Sequence, residues 1–154
     1  MVIHDTFAEF VLFLYIHMAH ADGEYHSSEE DSIRGKLHRL FPNDPNPVVK
    51  LNNELEKYKK VKKEDLRGLI HDTFFHFDHI KFAQKYKVYT EMYDIVHADG
   101  KVHEAEERAL KELKQIIDAG SEVGHKNWSL LLFDFSLCEF KYHVGHNGKH
   151  GYGY

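Results

Sequence analysis

The string His20-Ala21-Asp22-Gly23-Glu24-Tyr25-His26-Ser27-Ser28-Glu29-Glu30 returns seventy-seven residues later as His97-Ala98-Asp99-Gly100-Lys101-Val102-His103-Glu104-Ala105-Glu106-Glu107. Seven of the eleven positions are identical, and an eighth exchanges one apolar residue, Tyr25, for another, Val102. The apolar positions that follow correspond as well, Ile33 with Leu110 and Leu40 with Ile117. A duplication at fixed offset means that one supersecondary unit occurs twice, so the chain needs a fold that packs two similar units together. Each string joins two segments whose apolar residues recur every three to four positions, which makes the unit a helix–loop–helix.

The same periodicity extends along the chain. Over 5–18, Phe7, Phe10, Val11, Leu14 and Met18 form one stripe, and Leu12, Phe13 and Ile16 fill the other sides. Such a segment predicts a buried central helix. A second helix follows, with Ser27 and Ser28 ahead of Glu30 and Asp31 as a capping-box start, and with Ile33, Leu37, Leu40 and Phe41 as its stripe. All three prolines fall in 41–47, the clearest loop, and Pro47 suits the first turn of a third helix. Helical spacing then covers 48–58 (Val48, Leu51, Leu55, Tyr58) and 63–77 (Leu66, Leu69, Ile70, Thr73, Phe77). It continues over 80–96, with Phe82, Tyr86, Tyr89, Tyr93 and Val96 on one face, and over 104–119, where Ala109, Leu110, Leu113, Ile116 and Ile117 precede a stop at Gly120. The segment 128–140 fits alternation and helical spacing alike and is read as a helix. The expectation is an all-α, single-domain bundle of about seven helices over 1–142, with an internal pseudo-two-fold repeat whose loops lie at 20–30 and 97–107. A His/Gly-rich tail occupies 143–154.

Composition excludes several functions. A formal charge of −5 and a pI near 6.3, with lysines dispersed or confined to 57–63, supply no field for nucleic acid. The single cysteine, Cys138, can neither close an intrachain disulfide nor form a thiolate metal site, which suits a reducing cytoplasm. The apolar run 10–16 followed by Ala19-His20-Ala21 imitates a signal peptide. Asp5 and Glu9 precede it in place of Lys or Arg, however, and the Ala-His-Ala string belongs to the repeat. The run is also too short to span a bilayer, so no direct membrane insertion is expected. Histidine stands out: protonating all 14 would carry the formal charge from −5 to +9, which makes the surface charge depend on pH between about 5 and 7.

The loop residues admit two readings. In the architectural one, glycine supplies a left-handed turn and the apolar residue two positions later points inward. The Asp and Glu oxygens then accept the free N–H groups at the start of the next helix. In the second, Asp-Gly followed by five residues and Glu is the latter half of an EF-hand loop. The first half is missing, because Met18 and Ile95 stand where the first carboxylate belongs, and His20 and His97 where the second does. Calcium requires six to eight oxygens, so no calcium site is expected. What remains is His20, Asp22, His26 and Glu29 in one copy and His97, Asp99, His103 and Glu106 in the other. This imidazole and carboxylate set suits zinc or another divalent transition metal. Capping alone does not require the histidines.

Other motifs are sparser. His71-Asp72, drawn together with His38 and with His76-Phe77-Asp78-His79, outlines a metal-dependent His-Asp phosphohydrolase as an alternative function. In a chain this rich in histidine such a pattern also arises by composition. A di-iron bundle needs two Glu-x-x-His motifs; only Glu122 and His125 form one, flanked by Gly120 and Gly124. The tail histidines His143, His146 and His150 suit adventitious chelation. The sequence has no phosphate-binding loop and no nucleophile elbow.

Two Ala-Asp-Gly-x-apolar-x-x-x-Glu signatures, each between helices and separated by a middle helical region, resemble the TerB family of tellurite-resistance proteins. The resemblance covers roughly 5–119 and rests on Asp22, Gly23, Glu29, Asp99, Gly100 and Glu106. It implies an all-helical, pseudo-two-fold fold and a cytoplasmic protein of the tellurite or another stress response. Such a protein would act through protein partners, including membrane-associated ones, and would not catalyse a reaction. The expectation is therefore a non-enzymatic interaction or metal-sensing module.

Overall fold

The computed structural model describes residues 2–98 and 100–119; the expected helix at 128–140, the tail and Asp99 lie outside the described residues. Six helices follow one another: α1 (Phe7–Ala19), α2 (Ser27–Leu40), α3 (Pro47–Lys60), α4 (Leu66–His76), α5 (Phe82–Val96) and α6 (Glu104–Ala119). Among the described residues there is no strand, so the all-α expectation holds.

Helix α1 organises the rest. Its N-cap Thr6 accepts the Glu9 N–H at 3.3 Å, and every residue from Phe10 to Ile16 is buried. A helix apolar on all sides has no face to give to water and must be enclosed. Helices α2, α3, α5 and α6 all pack against it. Aromatic contacts close its first half: the Phe10 ring lies 4.9 Å from Phe74 in edge-to-face geometry and 6.1 Å from Phe77.

Two buried polar links were not legible as pattern. The Tyr15 hydroxyl, at the centre of α1, donates to Glu91 of α5, whose other oxygen lies 2.6 Å from Arg39 of α2. Burial, reinforced by the Glu91 carboxylate, drives the Tyr15 phenol far above its ordinary range. Near the N-terminus, buried His4 meets buried Glu54 of α3 at 3.0 Å, and Lys57 reaches the second oxygen of Glu54 at 2.5 Å. Burial pushes the Glu54 carboxyl up, but His4 and Lys57 outweigh it and hold Glu54 below the usual range.

Three local expectations need correction. The inward face of α5 is Val88, Met92, Ile95 and Val96, whereas Phe82, Tyr86 and Tyr89 are half-buried and Tyr93 is exposed. The aliphatic stripe fills the core against α1, and tyrosine hydroxyls are accommodated more easily at its edge. Helix α2 is capped one step earlier than Ser27 and Ser28 suggested, with His26 as the N-cap and Glu29 as the third helical residue. Helix α4 begins at Leu66, after a turn that the Asp65 N–H closes onto the Lys62 carbonyl.

His17 lies on the edge of α1, its Nδ1 3.2 Å from the Tyr58 hydroxyl. Burial, together with the neighbouring His20 ring, lowers its pKa to about 4. The folded state thus refuses a proton that the unfolded chain accepts below about pH 6.5. Its contribution is complete above that value and is lost as pH falls towards 4, to the extent of about 2–3 kcal/mol. Denaturant unfolding at pH 7 and pH 4.5 should therefore show a smaller loss for His17→Gln than for the parent chain; equal losses would contradict this assignment. Phe10→Ala should cost about 3–5 kcal/mol at either pH, measured the same way.

Candidate metal centre

The two loops leave the C-terminal ends of α1 and α5 with the same local construction. Gly23 has φ 92° and Gly100 φ 78°, the left-handed turn expected of both. His20 Nδ1 lies 2.8 Å from the Ile16 carbonyl, and His97 Nδ1 lies 2.8 Å from the Tyr93 carbonyl. A carbonyl only accepts, so both rings carry their proton on Nδ1 and occupy the last turn of their own helices. At the start of the exit helices, Glu29 accepts the His26 N–H at 3.0 Å and Glu106 accepts the His103 N–H at 2.7 Å. These are the acceptors that helix N-termini lack, so the capping role of both glutamates stands. Asp22 Oδ1 also accepts the Glu24 N–H at 2.9 Å, which tightens the first loop.

One expected feature differs between the copies. Tyr25 packs partly against the core and stacks on His20 with ring centroids 4.7 Å apart, whereas Val102 is 42 % exposed. In the second copy the ring stacked on the imidazole is Tyr93, 3.8 Å from His97, and Val102 stays outside, so the inward turn occurs in one copy only.

The packing of the two units brings together residues that the sequence separates. Asp22 Oδ2 lies 3.4 Å from His26 Nε2 and 3.7 Å from His103 Nε2, the second contact crossing from one loop to the other. Ligand atoms of Asp22, His26 and His103 all lie within 4.8 Å of one another, the one such group among the described residues. His26 Nε2 is buried and has no hydrogen-bond partner, as has the second oxygen of Glu29, Oε1. Glu24 adds an exposed carboxylate 3.6 Å from His26 Nε2.

The electrostatics follow the geometry. Burial raises the Asp22 carboxyl, but the Glu24 N–H and the imidazoles of His26 and His103 outweigh it and hold Asp22 ionised below its usual range. Burial lowers His26, yet the carboxylates of Asp22, Glu29 and Glu24 prevail and raise it. Glu29 is pushed up to about 7, chiefly by burial and further by Glu106 and Asp22, against the opposing His26 N–H and ring.

The arrangement can be compared with what a metal requires. Four donors about 2.0–2.1 Å from a tetrahedral ion stand about 3.4 Å from each other, close to the Asp22–His26 spacing and slightly under the Asp22–His103 spacing. The His26 and His103 side chains are 35 % and 48 % exposed, and the ligand atoms of the three residues lie within 4.8 Å of one another. An ion held by these three side chains would keep one coordination position open, unlike a closed four-ligand structural zinc site.

The expected eight-residue set is thus divided. Asp22, His26 and His103 converge; His20 and His97 bond backward to their own helices; Glu29 and Glu106 cap theirs; Asp99 lies outside the described residues. The sequence grouped the residues copy by copy, and the signal for a shared group was the identity of His26 and His103 across the duplication. His71 and Asp72, 3.4 Å apart on α4, are 51 % and 50 % exposed and stand outside this group.

Comparison with curated proteins gives no match, and neither does comparison with solved structures. The family model described as tellurite resistance protein TerB matches residues 8–123, which takes in α1 from its second residue, the five helices α2 to α6 and both loops. With three quarters of its length so matched, the chain belongs to the TerB family.

Proposed function

We propose that this protein is a non-enzymatic, metal-responsive interaction module in which the two repeated loops share one divalent transition-metal ion, zinc being the best fit. The observation that carries this reading is the placement of Asp22 Oδ2 between imidazoles from the two copies. An ion held there joins the loop after α1 to the loop after α5, so its arrival and departure alter how the two units hold together. Such a device senses a metal and reports it to a protein partner, and no part of it needs to transform a substrate. Membership of the TerB family supports a place in tellurite resistance or a related stress response, with the cytoplasm as its setting and membrane-associated proteins among its partners.

A purely architectural repeat is the second reading, favoured by the matching glutamate caps and backward histidine bonds of both copies. Calorimetric titration of untagged protein with zinc separates the two. The tail carries His143→Gln, His146→Gln and His150→Gln to suppress adventitious chelation. The shared-site reading expects one ion per chain. Asp22→Asn, His26→Gln and His103→Gln should each weaken it about tenfold or more, and His20→Gln and His97→Gln should leave it unchanged. Affinity should fall as pH drops through the range, raised above the ordinary imidazole value by Asp22, Glu29 and Glu24, in which His26 takes up its proton, because a ligating imidazole must be neutral. Absence of binding, or binding indifferent to His103→Gln, would return the loops to an architectural role. In that case Asp22→Ala would cost about 1 kcal/mol of stability as a lost loop acceptor.

A further inference from the structure

On another side of the first loop, a cleft of about 550 Å3 opens between the C-terminal ends of α1 and α3, the first turns of α4 and the middle of α6. Its floor is apolar, with Met18, Leu66, Ile70 and Leu113 all buried where they line it. Its rim is cationic: Lys59, Lys63, Arg67 and Arg108 face Glu112, the single carboxylate among the lining residues. Lys59 and Arg108 each have an exposed partner on their own helix, Glu56 and Glu104, both at 2.9 Å. Lys63 and Arg67 have no ion-pair partner among the described residues. They flank the start of α4, whose N-cap Asp65 makes no side-chain capping bond.

In a chain of net charge −5, two of the four cations around this apolar hollow, Lys63 and Arg67, are left without a carboxylate partner among the described residues. Nothing in folding demands that arrangement, whereas binding explains it. An anion seated between Lys63 and Arg67 would meet a bidentate guanidinium, an ammonium and the uncapped N–H groups of the first turn of α4. The apolar floor would take a hydrocarbon or aromatic body. The volume is that of a small-molecule site. We infer that this cleft binds a small amphiphilic anion, with a carboxylate or phosphate at the Lys63–Arg67 rim and an apolar body on the floor between α1, α4 and α6.

Backbone amide shifts of the full chain, followed by NMR during titration with decanoate below its micellar concentration, test the inference. Parallel titrations use decanol and inorganic phosphate. Decanoate should shift residues lining the cleft in a saturable manner. Each of the other two probes should bind about tenfold or more weakly, since each offers only half of the recognised chemistry. Lys63 and Arg67 are exposed, so the double variant K63E/R67E should retain the thermal transition of the parent and lose about tenfold or more in decanoate affinity. Shifts scattered away from the cleft would overturn the proposal. So would decanol or phosphate binding as tightly as decanoate, or a K63E/R67E variant that binds decanoate unchanged.

Discussion

The enclosure of α1 is the constraint on which the rest of the structure depends. Seven successive residues, Phe10 to Ile16, are buried, and a helix with no polar side forces its neighbours to surround it. Among those neighbours is α5, the entry helix of the second repeat. Once α1 and α5 lie together, the loops that follow them emerge close to one another. Asp22 and His103, far apart in sequence, then come within 3.7 Å. The polar cluster is therefore a consequence of apolar packing, and the glycine turns and glutamate caps set its fine geometry.

Much of the fold could be read from spacing because burial in a helix leaves a period. Ile33 and Leu37, Leu69 and Ile70, and Leu110 and Leu113 all sit in the core where their stripes placed them. The reading failed where side-chain type overrode period. On α5, tyrosines at helical spacing looked like a core face, yet their hydroxyls favour the boundary, and Val88, Met92 and Ile95 took the interior. Buried ionisable residues were illegible for a different reason. His4 and Glu54 are stabilised by each other across 50 positions, and no local pattern announces such a pair. The candidate metal centre was half legible for the same reason: its residue types and one loop were readable, while the partner from the other loop depends on tertiary packing.

The first loop also links two surfaces of opposite chemistry. Asp22 faces the imidazoles of His26 and His103, while His20, Ala21 and Gly23 line the cationic cleft. A single tight turn separates them. Gly23, the position of unusual φ, lies at that turn.

The claim at the centre of this account is that one ion is held by both copies of the repeat. X-ray absorption at the zinc edge of the one-to-one complex addresses it most directly, because imidazole rings give a multiple-scattering signature that can be counted. The account predicts two imidazoles and a carboxylate oxygen in the parent complex. It predicts a single imidazole after either His26→Gln or His103→Gln in a chain whose tail histidines are replaced. Two imidazoles retained in either variant, or an ion bound by oxygen alone, would contradict it.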